Sequence, residues 1–286
     1  MKQVAIVSGK GGTGKTTIAA SFSCLAKNKV IVDCDVDSAM LHLLLKPEVV
    51  SSREFHGLKL FEIDEGKCKK CGLCESHCRF NAVRNFQIDP FLCEGCAVCY
   101  YVCPVNAIKM REKTSGYMFT SKTNYGPMVH ARLNAAETNS GKLVTMVRNE
   151  AKRIAEEENA DLILIDGPPG LGCPLFATLT GIDMAIAVAE PTMSGIYDLN
   201  RLIQVITHFR IKPIVIVNMY DVNEKNAKEI LNYCEQNAVE VAGLIPFDRI
   251  AVDALVNGLP VIEYAPNSNI GKAIKQIWNT IEEVIG

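Results

Sequence analysis

Residues 9–16 read Gly-Lys-Gly-Gly-Thr-Gly-Lys-Thr and satisfy G-x-x-x-x-G-K-[ST] at every position. The apolar run Val4–Ser8 precedes them and a helix-period stretch, Lys15–Ala26, follows. This order of strand, glycine loop and helix points to an open α/β sheet. Glycines let backbone N–H groups turn inward, and the helix N-terminus adds a field that favours anions. In such a loop Lys15 reaches the β- and γ-phosphates of a nucleotide, and the Thr16 hydroxyl ligates Mg²⁺. Gly9, Lys10, Gly11, Gly12, Thr13, Gly14 and Thr17 complete the expected phosphate cradle. An incidental glycine-rich turn is the bland alternative, and the flanking strand and helix count against it.

Short apolar runs alternate with helical periodicity along most of the chain. Expected strands are Val4–Ser8, Val30–Asp33, Leu162–Asp166, Met184–Ala189, Pro213–Asn218 and Val241–Ile245. Between them lie Lys15–Ala26, Lys142–Glu157, Ile196–His208, Ala227–Glu235, Arg249–Asn257 and Asn269–Ile285, where apolar residues recur at helical spacing. Runs apolar throughout suit strands covered on both faces, so the pattern predicts a mostly parallel, doubly wound α/β sheet. The alternation breaks from about Leu58 to Thr138. We expect an inserted small α+β domain at 64–111, splicing a discontinuous domain of 1–63 and 112–286, with a Gly/Ser/Thr/Asn-rich connection after it. A net charge of −2 removes the usual electrostatic reason to expect nucleic acid. No apolar run approaches a membrane span and the N-terminus does not read as a signal peptide, so no membrane association and a cytoplasmic location are expected.

Eight of the twelve cysteines lie between Cys68 and Cys103. They read Cys68-x2-Cys71-x2-Cys74-x3-Cys78, then Cys93-x2-Cys96-x2-Cys99-x3-Cys103-Pro104. This is the spacing of bacterial two-cluster ferredoxins, in which three thiolates of one half and the last thiolate of the other surround each cubane. One [4Fe–4S] cluster would take Cys68, Cys71, Cys74 and Cys103, and the other Cys93, Cys96, Cys99 and Cys78. Zinc is the competing occupant of thiolate tetrads. Three cysteines at strict intervals, twice, favour the cubane. Arg79 stands where such motifs usually place proline, and its charge could raise the potential of the second cluster. His77 reads as a solvent-facing spacer.

Carboxylates at strand ends supply the remaining chemistry. Asp33, Asp35 and Asp37 follow one apolar run, and Asp166 opens Asp166-Gly167-Pro168-Pro169-Gly170 after another. Ligands of open α/β sheets sit beyond such strand ends. Helix capping is the bland role for Asp33 or Asp37. The run Lys10–Thr17, with its additional Lys10, resembles the deviant Walker A motif of the MinD/ParA family, which includes the nitrogenase iron protein and ApbC-type cluster carriers. Together with the cysteine block it resembles MinD-superfamily ATPases carrying an inserted ferredoxin domain. Further strings share the likeness: residues 139–144, the stretch through Gly172-Cys173-Pro174, Glu190-Pro191-Thr192, Ser194-Gly195 and Asp198.

The resemblance implies a homodimer sandwiching two ATP molecules, with Lys10 reaching the partner's nucleotide and Asp35 positioning the hydrolytic water. It places Thr16, Asp35 and Asp166 about the Mg²⁺, and sets Asn218, Pro246 and Asp248 around adenine. Cys173 matches the offset of a cluster-ligating cysteine in the nitrogenase iron protein, which would make it a dimer-axis thiol; a small buried cysteine is the alternative. Cys24 and Cys234 read as core. The implied function is ATP hydrolysis coupled to iron–sulfur electron transfer or metallocluster delivery to a partner protein, a paralogous ATPase being one candidate. The alternative is MinD/ParA-like intracellular positioning with a redox-sensing insert. A ferredoxin on a vestigial ATPase scaffold is the weakest reading. The helix Ile270–Ile285 has balanced charge, unlike a basic membrane-binding helix, and so reads as a packing helix.

Overall fold

The computed structural model describes residues 1–135, 137 and 140–285; Asn139, which opens one of the family-like strings, lies outside them. In chain order the elements are β1 (Lys2–Ser8), α1 (Lys15–Leu25), β2 (Lys29–Asp33), α2 (Leu41–Leu45), β3 (Glu48–Ile63), α3 (Leu73–Ser76), β4 (Val83–Arg84), β5 (Gln87–Ile88), α4 (Val98–Val102), β6 (Ile108–Thr123) and β7 (Gly126–Leu133). There follow α5 (Ser140–Glu157), β8 (Leu162–Pro169), α6 (Cys173–Leu179), β9 (Met184–Ala189), α7 (Met193–His208), β10 (Lys212–Asn218), α8 (Glu224–Gln236), β11 (Glu240–Ile245), α9 (Ile250–Val256), α10 (Val261–Tyr264) and α11 (Asn269–Ile285). The chain forms two compact units. One comprises Met1–Arg53, Met118–Arg132 and Ser140–Gly286, the other Glu54–Tyr117 and Leu133–Asn139.

The first unit is built on the sheet order β11-β10-β9-β1-β8-β2-β7, after which β6 and β3 complete nine strands. β1 lies parallel between β8 and β9, with Ala5 opposite Ile165 and Ile6 opposite Ile186. β2 runs parallel to β8 and β7, and β10 parallel to β9 and β11. Val4, Ala5, Ile6 and Val7 of β1 are fully buried, as a strand covered on both faces requires. Alternate residues Val4 and Ile6 join a core with Ile18 and Phe22 of α1 and Ile274, Ile277 and Trp278 of α11. Helices α5 and α7 pack on β2 and β9 respectively. The doubly wound, mostly parallel sheet expected from the alternation is present.

Two expectations need correction. The stretch after the cysteine block is not a loose connection but the two strands β6 and β7. Their sequences carry Ser115, Ser121 and His130, all buried, and these polar residues interrupt the apolar run that marks a strand. The strand β3 is likewise absent from the expected elements, because its first seven residues, Glu48–Glu54, are exposed and mixed in character.

The second unit holds the two short helices α3 and α4 and an antiparallel β4–β5 hairpin, with Val83 opposite Ile88. Its small core joins Phe61, Val83 and Ile108 to Cys74 and Cys99.

Candidate nucleotide cleft and cysteine unit

β1 ends at Ser8, whose hydroxyl donates to the Lys10 carbonyl at 2.8 Å and so starts the loop. Gly14 has φ +84°, and a Cβ there would stand 2.3 Å from Asn218 Nδ2. A Cβ on Gly9 would lie 2.7 Å from Asp198 Cβ, so α7 packs directly against the loop. The loop, Lys15, Thr16, Thr17, Asp35 and Ser38 line one cleft of about 390 Å³ at the carboxyl ends of β1 and β2. The structure thus brings the sequence-selected loop residues 11–17 together with Asp35.

Lys15 Nζ lies 2.8 Å from Asp166 Oδ1, and both side chains are buried. Burial by itself would lower the Lys15 pKa, but Asp166, with Asp35 and Asp33, outweighs it and holds the ammonium above its usual range. Asp166 Oδ2 is buried and has no hydrogen-bond partner, and neither does Thr13 Oγ1. Buried polar atoms are normally paired, so these two are exceptions beside the Lys15–Asp166 pair and the glycine loop. A buried ion pair is weak evidence for stability, so the Lys15–Asp166 pair needs another account.

Asp33 serves the backbone. Its carboxyl accepts from Asp35 N at 3.0 Å and Leu41 N at 3.2 Å, bracing the loop that carries Asp35. Burial and then the Asp166 charge push its pKa well upward, partly offset by Lys15. Burial also raises Asp35, with Lys15 opposing, and its Oδ1 accepts from Ser38 N at 3.3 Å. Asp37 is exposed.

Lys10 is engaged within its own chain. Its Nζ lies 2.6 Å from Glu190 Oε1 and donates to Ser194 Oγ at 2.8 Å and Thr192 Oγ1 at 3.1 Å. Glu190 and Ser194 flank the start of α7, which Thr192 caps by accepting from Gly195 N at 3.0 Å. In the sequence these partners stand out only as family-like strings; their acceptor chemistry becomes apparent once β9 and β1 are neighbours.

Beside the loop a second pocket, of about 120 Å³, is lined by Gly12, Gly14, Asn218, Pro246, Phe247 and Asp248, with Ile270 and Ile274 of α11. Asn218 and Asp248 are already employed. Asn218 Nδ2 donates to the Thr13 carbonyl at 2.8 Å, and Asp248 Oδ1 accepts from Ile250 N at 3.0 Å. Sequence reasoning misses Phe247, half exposed on the pocket wall; it is the unspecified middle residue of Pro246-x-Asp248, a position that carries no sequence signal. Cys173 opens α6 and is exposed, so the buried alternative fails for it. Cys234 is buried and Cys24 packs against the main core.

In the second unit, one cavity is lined by Cys68, Cys71, Cys74 and Cys103 and another by Cys78, Cys93, Cys96 and Cys99. Each therefore takes three cysteines from one half of the repeat and one from the other. Ala82 N donates to Cys78 Sγ at 3.3 Å and Ala107 N to Cys103 Sγ at 3.2 Å. Burial raises the pKa of Cys99 to about 11 and that of Cys74 in the same direction. Among the described residues, no three His, Cys, Asp or Glu side chains are arranged to hold a single metal ion. His77 is exposed, and its Nδ1 lies 2.9 Å from the Leu73 carbonyl.

A glycine loop between β1 and α1, with a buried lysine–carboxylate pair beyond the strand ends, defines a P-loop nucleotide-binding protein of the doubly wound class. The chain belongs to the CobQ/CobB/MinD/ParA nucleotide binding domain family, whose model matches residues 4–261. An uncharacterized protein of Methanocaldococcus jannaschii is 32% identical, covering 99% of this chain and 97% of its own length. A second from the same organism is 26% identical over 98% of both chains. Among solved structures, the septum site-determining protein MinD of Pyrococcus horikoshii, complexed with Mg-ADP, is similar with TM-score 0.60 and 20% identity, covering 100% of this chain and 97% of that one. A singly substituted McdA of Cyanothece in complex with ATP is similar with TM-score 0.59 and 16% identity, covering 99% and 96%. At such identities these structures establish the shared fold. No helix among the described residues is long and apolar enough to cross a membrane.

Proposed function

We propose that the chain is a Mg²⁺-dependent ATPase that closes as a homodimer over two ATP molecules and couples this cycle to two [4Fe–4S] clusters held by the cysteine unit. The observation that carries the reading is the pair of four-cysteine cavities, each walled by both halves of the repeat. The donor set fits the cubane: four thiols per cavity, with backbone N–H groups already directed at Cys78 and Cys103. The unpartnered Asp166 Oδ2 and Thr13 Oγ1 support the nucleotide half.

The chain's own residues perform the hydrolytic chemistry. Phosphate oxygens take Lys15 Nζ, which frees Asp166 Oδ1 from its ion pair. Thr16 and Asp166 would hold the Mg²⁺, with Asp35 close by; the cation supplies charge neutralisation on the β- and γ-phosphates. The Asp35 carboxylate orients the attacking water, yielding ADP and phosphate. Lys10 leaves Glu190 and reaches the partner's nucleotide. Phe247, Pro246, Asp248 and Asn218 wall the base. Cys173, exposed at the head of α6, would meet its counterpart near the dimer axis.

The clusters would pass electrons, or be delivered, to a redox or metallocluster partner, a paralogous ATPase among the candidates, in the cytoplasm. Protein prepared anaerobically should hold iron and acid-labile sulfide, and ATP should alter the clusters' spectra or their accessibility to a chelator. Protein without iron and sulfide sinks the redox half; clusters indifferent to nucleotide sink the coupling.

Intracellular positioning is the second reading, favoured by the fold shared with MinD and McdA. Against it, α11 buries Ile270, Ile274, Ile277, Trp278 and Ile281 in the core, leaving no apolar face for lipid. ATP-dependent pelleting with anionic liposomes would restore it.

A further inference from the structure

The two halves of the cysteine repeat share a backbone and differ in charge. Lys70 and Gly95 both take left-handed φ, 51° and 64°, before Cys71 and Cys96. Gly72 and Ala97 do so after them, at 78° and 65°, and Asn81 and Asn106 follow the last cysteines at 52° and 49°. Ala82 and Ala107 donate to their sulfurs at 3.3 and 3.2 Å. The polypeptide therefore offers each closing cysteine a matched N–H group, and in the first cavity Lys70 N adds a donor to Cys68 Sγ at 3.4 Å.

Side chains at matched positions do not. Lys69 follows Cys68 and lines the first cavity, while Glu94 follows Cys93 and lines the second. Lys67 and Lys70 flank the first loop, where the matched residues of the second are Leu92 and Gly95. Arg79 beside Cys78 and Glu75 beside Cys74 act in the opposite sense, but both are exposed and line neither cavity. Accepting an electron adds one negative charge to a cluster, which nearby cations stabilise and an anion opposes.

We infer that Lys67, Lys69 and Lys70 hold the first site at the higher reduction potential and that Glu94 holds the second lower, so that an electron entering the unit comes to rest at the Cys68–Cys71–Cys74–Cys103 site. The inference rests on the cluster reading above. The step is a one-electron transfer from an external low-potential donor and makes or breaks no bond. Because these side chains are exposed, salt screens them and narrows the gap.

The test uses full-length protein reconstituted anaerobically with iron and sulfide, titrated with dithionite through mediators and followed by electron paramagnetic resonance. Two half-reductions are expected, separated by at least a tenfold difference in reduced-to-oxidised ratio, about 59 mV for one electron. Lys69→Gln should lower the higher potential and leave the other in place; Glu94→Gln should raise the lower one. Added salt should bring the two together. A single shared potential overturns the inference, as does Lys69→Gln moving the lower potential or neither. Material lacking iron and sulfide overturns it together with the cluster reading, whereas equal potentials in fully loaded protein overturn it alone.

Discussion

A methyl group at Gly14 meets two obstacles, a left-handed φ of +84° and Asn218 Nδ2 at 2.3 Å. Gly14→Ala should therefore destabilise the protein by about 2 kcal/mol or more in urea melts and abolish nucleotide binding. His130 offers a titration test. Burial, then His42, lowers its pKa from 6.5 to about 4, and its Nε2 lies 3.1 Å from Ser121 Oγ. The unfolded chain takes up this proton near pH 6.5 and the folded one only near pH 4. Stability is thus fully present above pH 6.5 and falls as pH drops through that window, by at most about 3 kcal/mol. His130→Phe should flatten the acid limb of stability measured between about pH 7 and 4; an unchanged limb refutes the assignment. On the proposed reading, Asp35 bears on rate. Burial raises its pKa, so ATP turnover should fall on the acid side as the carboxylate protonates, and Asp35→Asn should cost roughly a hundredfold or more at every pH.

The elements most plainly written in the sequence are those buried on both sides. β1, β2, β8, β9 and β10 are almost unbroken apolar runs of this kind; β11, at the sheet edge and mostly half-buried, is legible from its apolar run alone. β6 and β7 escape a pattern reading because Ser115, Ser121 and His130 occupy buried positions that such a reading assigns to solvent. The phosphate loop is legible because its glycines and lysine are contiguous. The contacts that tie it down are not: Asn218 to Thr13, and Asp198 against Gly9, join positions some two hundred residues apart that only the parallel crossovers bring together. At the C-terminus, balanced charge correctly assigns α11 to packing. Trp278 lies with its ring 5.0 Å from that of Phe22 and is almost wholly buried. Trp278→Ala should cost about 3–5 kcal/mol in chemical denaturation.

For the whole molecule, the proposed role of Lys10 in trans predicts separable steps. Lys10→Ala should leave nucleotide binding by the monomer intact while removing turnover and ATP-dependent dimerisation in sedimentation velocity. Loss of nucleotide binding in that variant would count against a role in trans. The proposed cluster reading predicts a stoichiometry. Reconstituted protein should hold about eight iron atoms per chain, and Cys71→Ala should remove one cluster while sparing the second. Metal at about two zinc atoms per chain, without sulfide, would instead indicate the thiolate tetrads that compete for the same spacing.

Each four-cysteine enclosure is closed by a residue from the opposite half of the repeat, Cys103 for one and Cys78 for the other. Neither half can be trimmed away on its own. A chain shortened to a single half would retain two unfinished enclosures rather than one complete one, so truncating either half should cost both together.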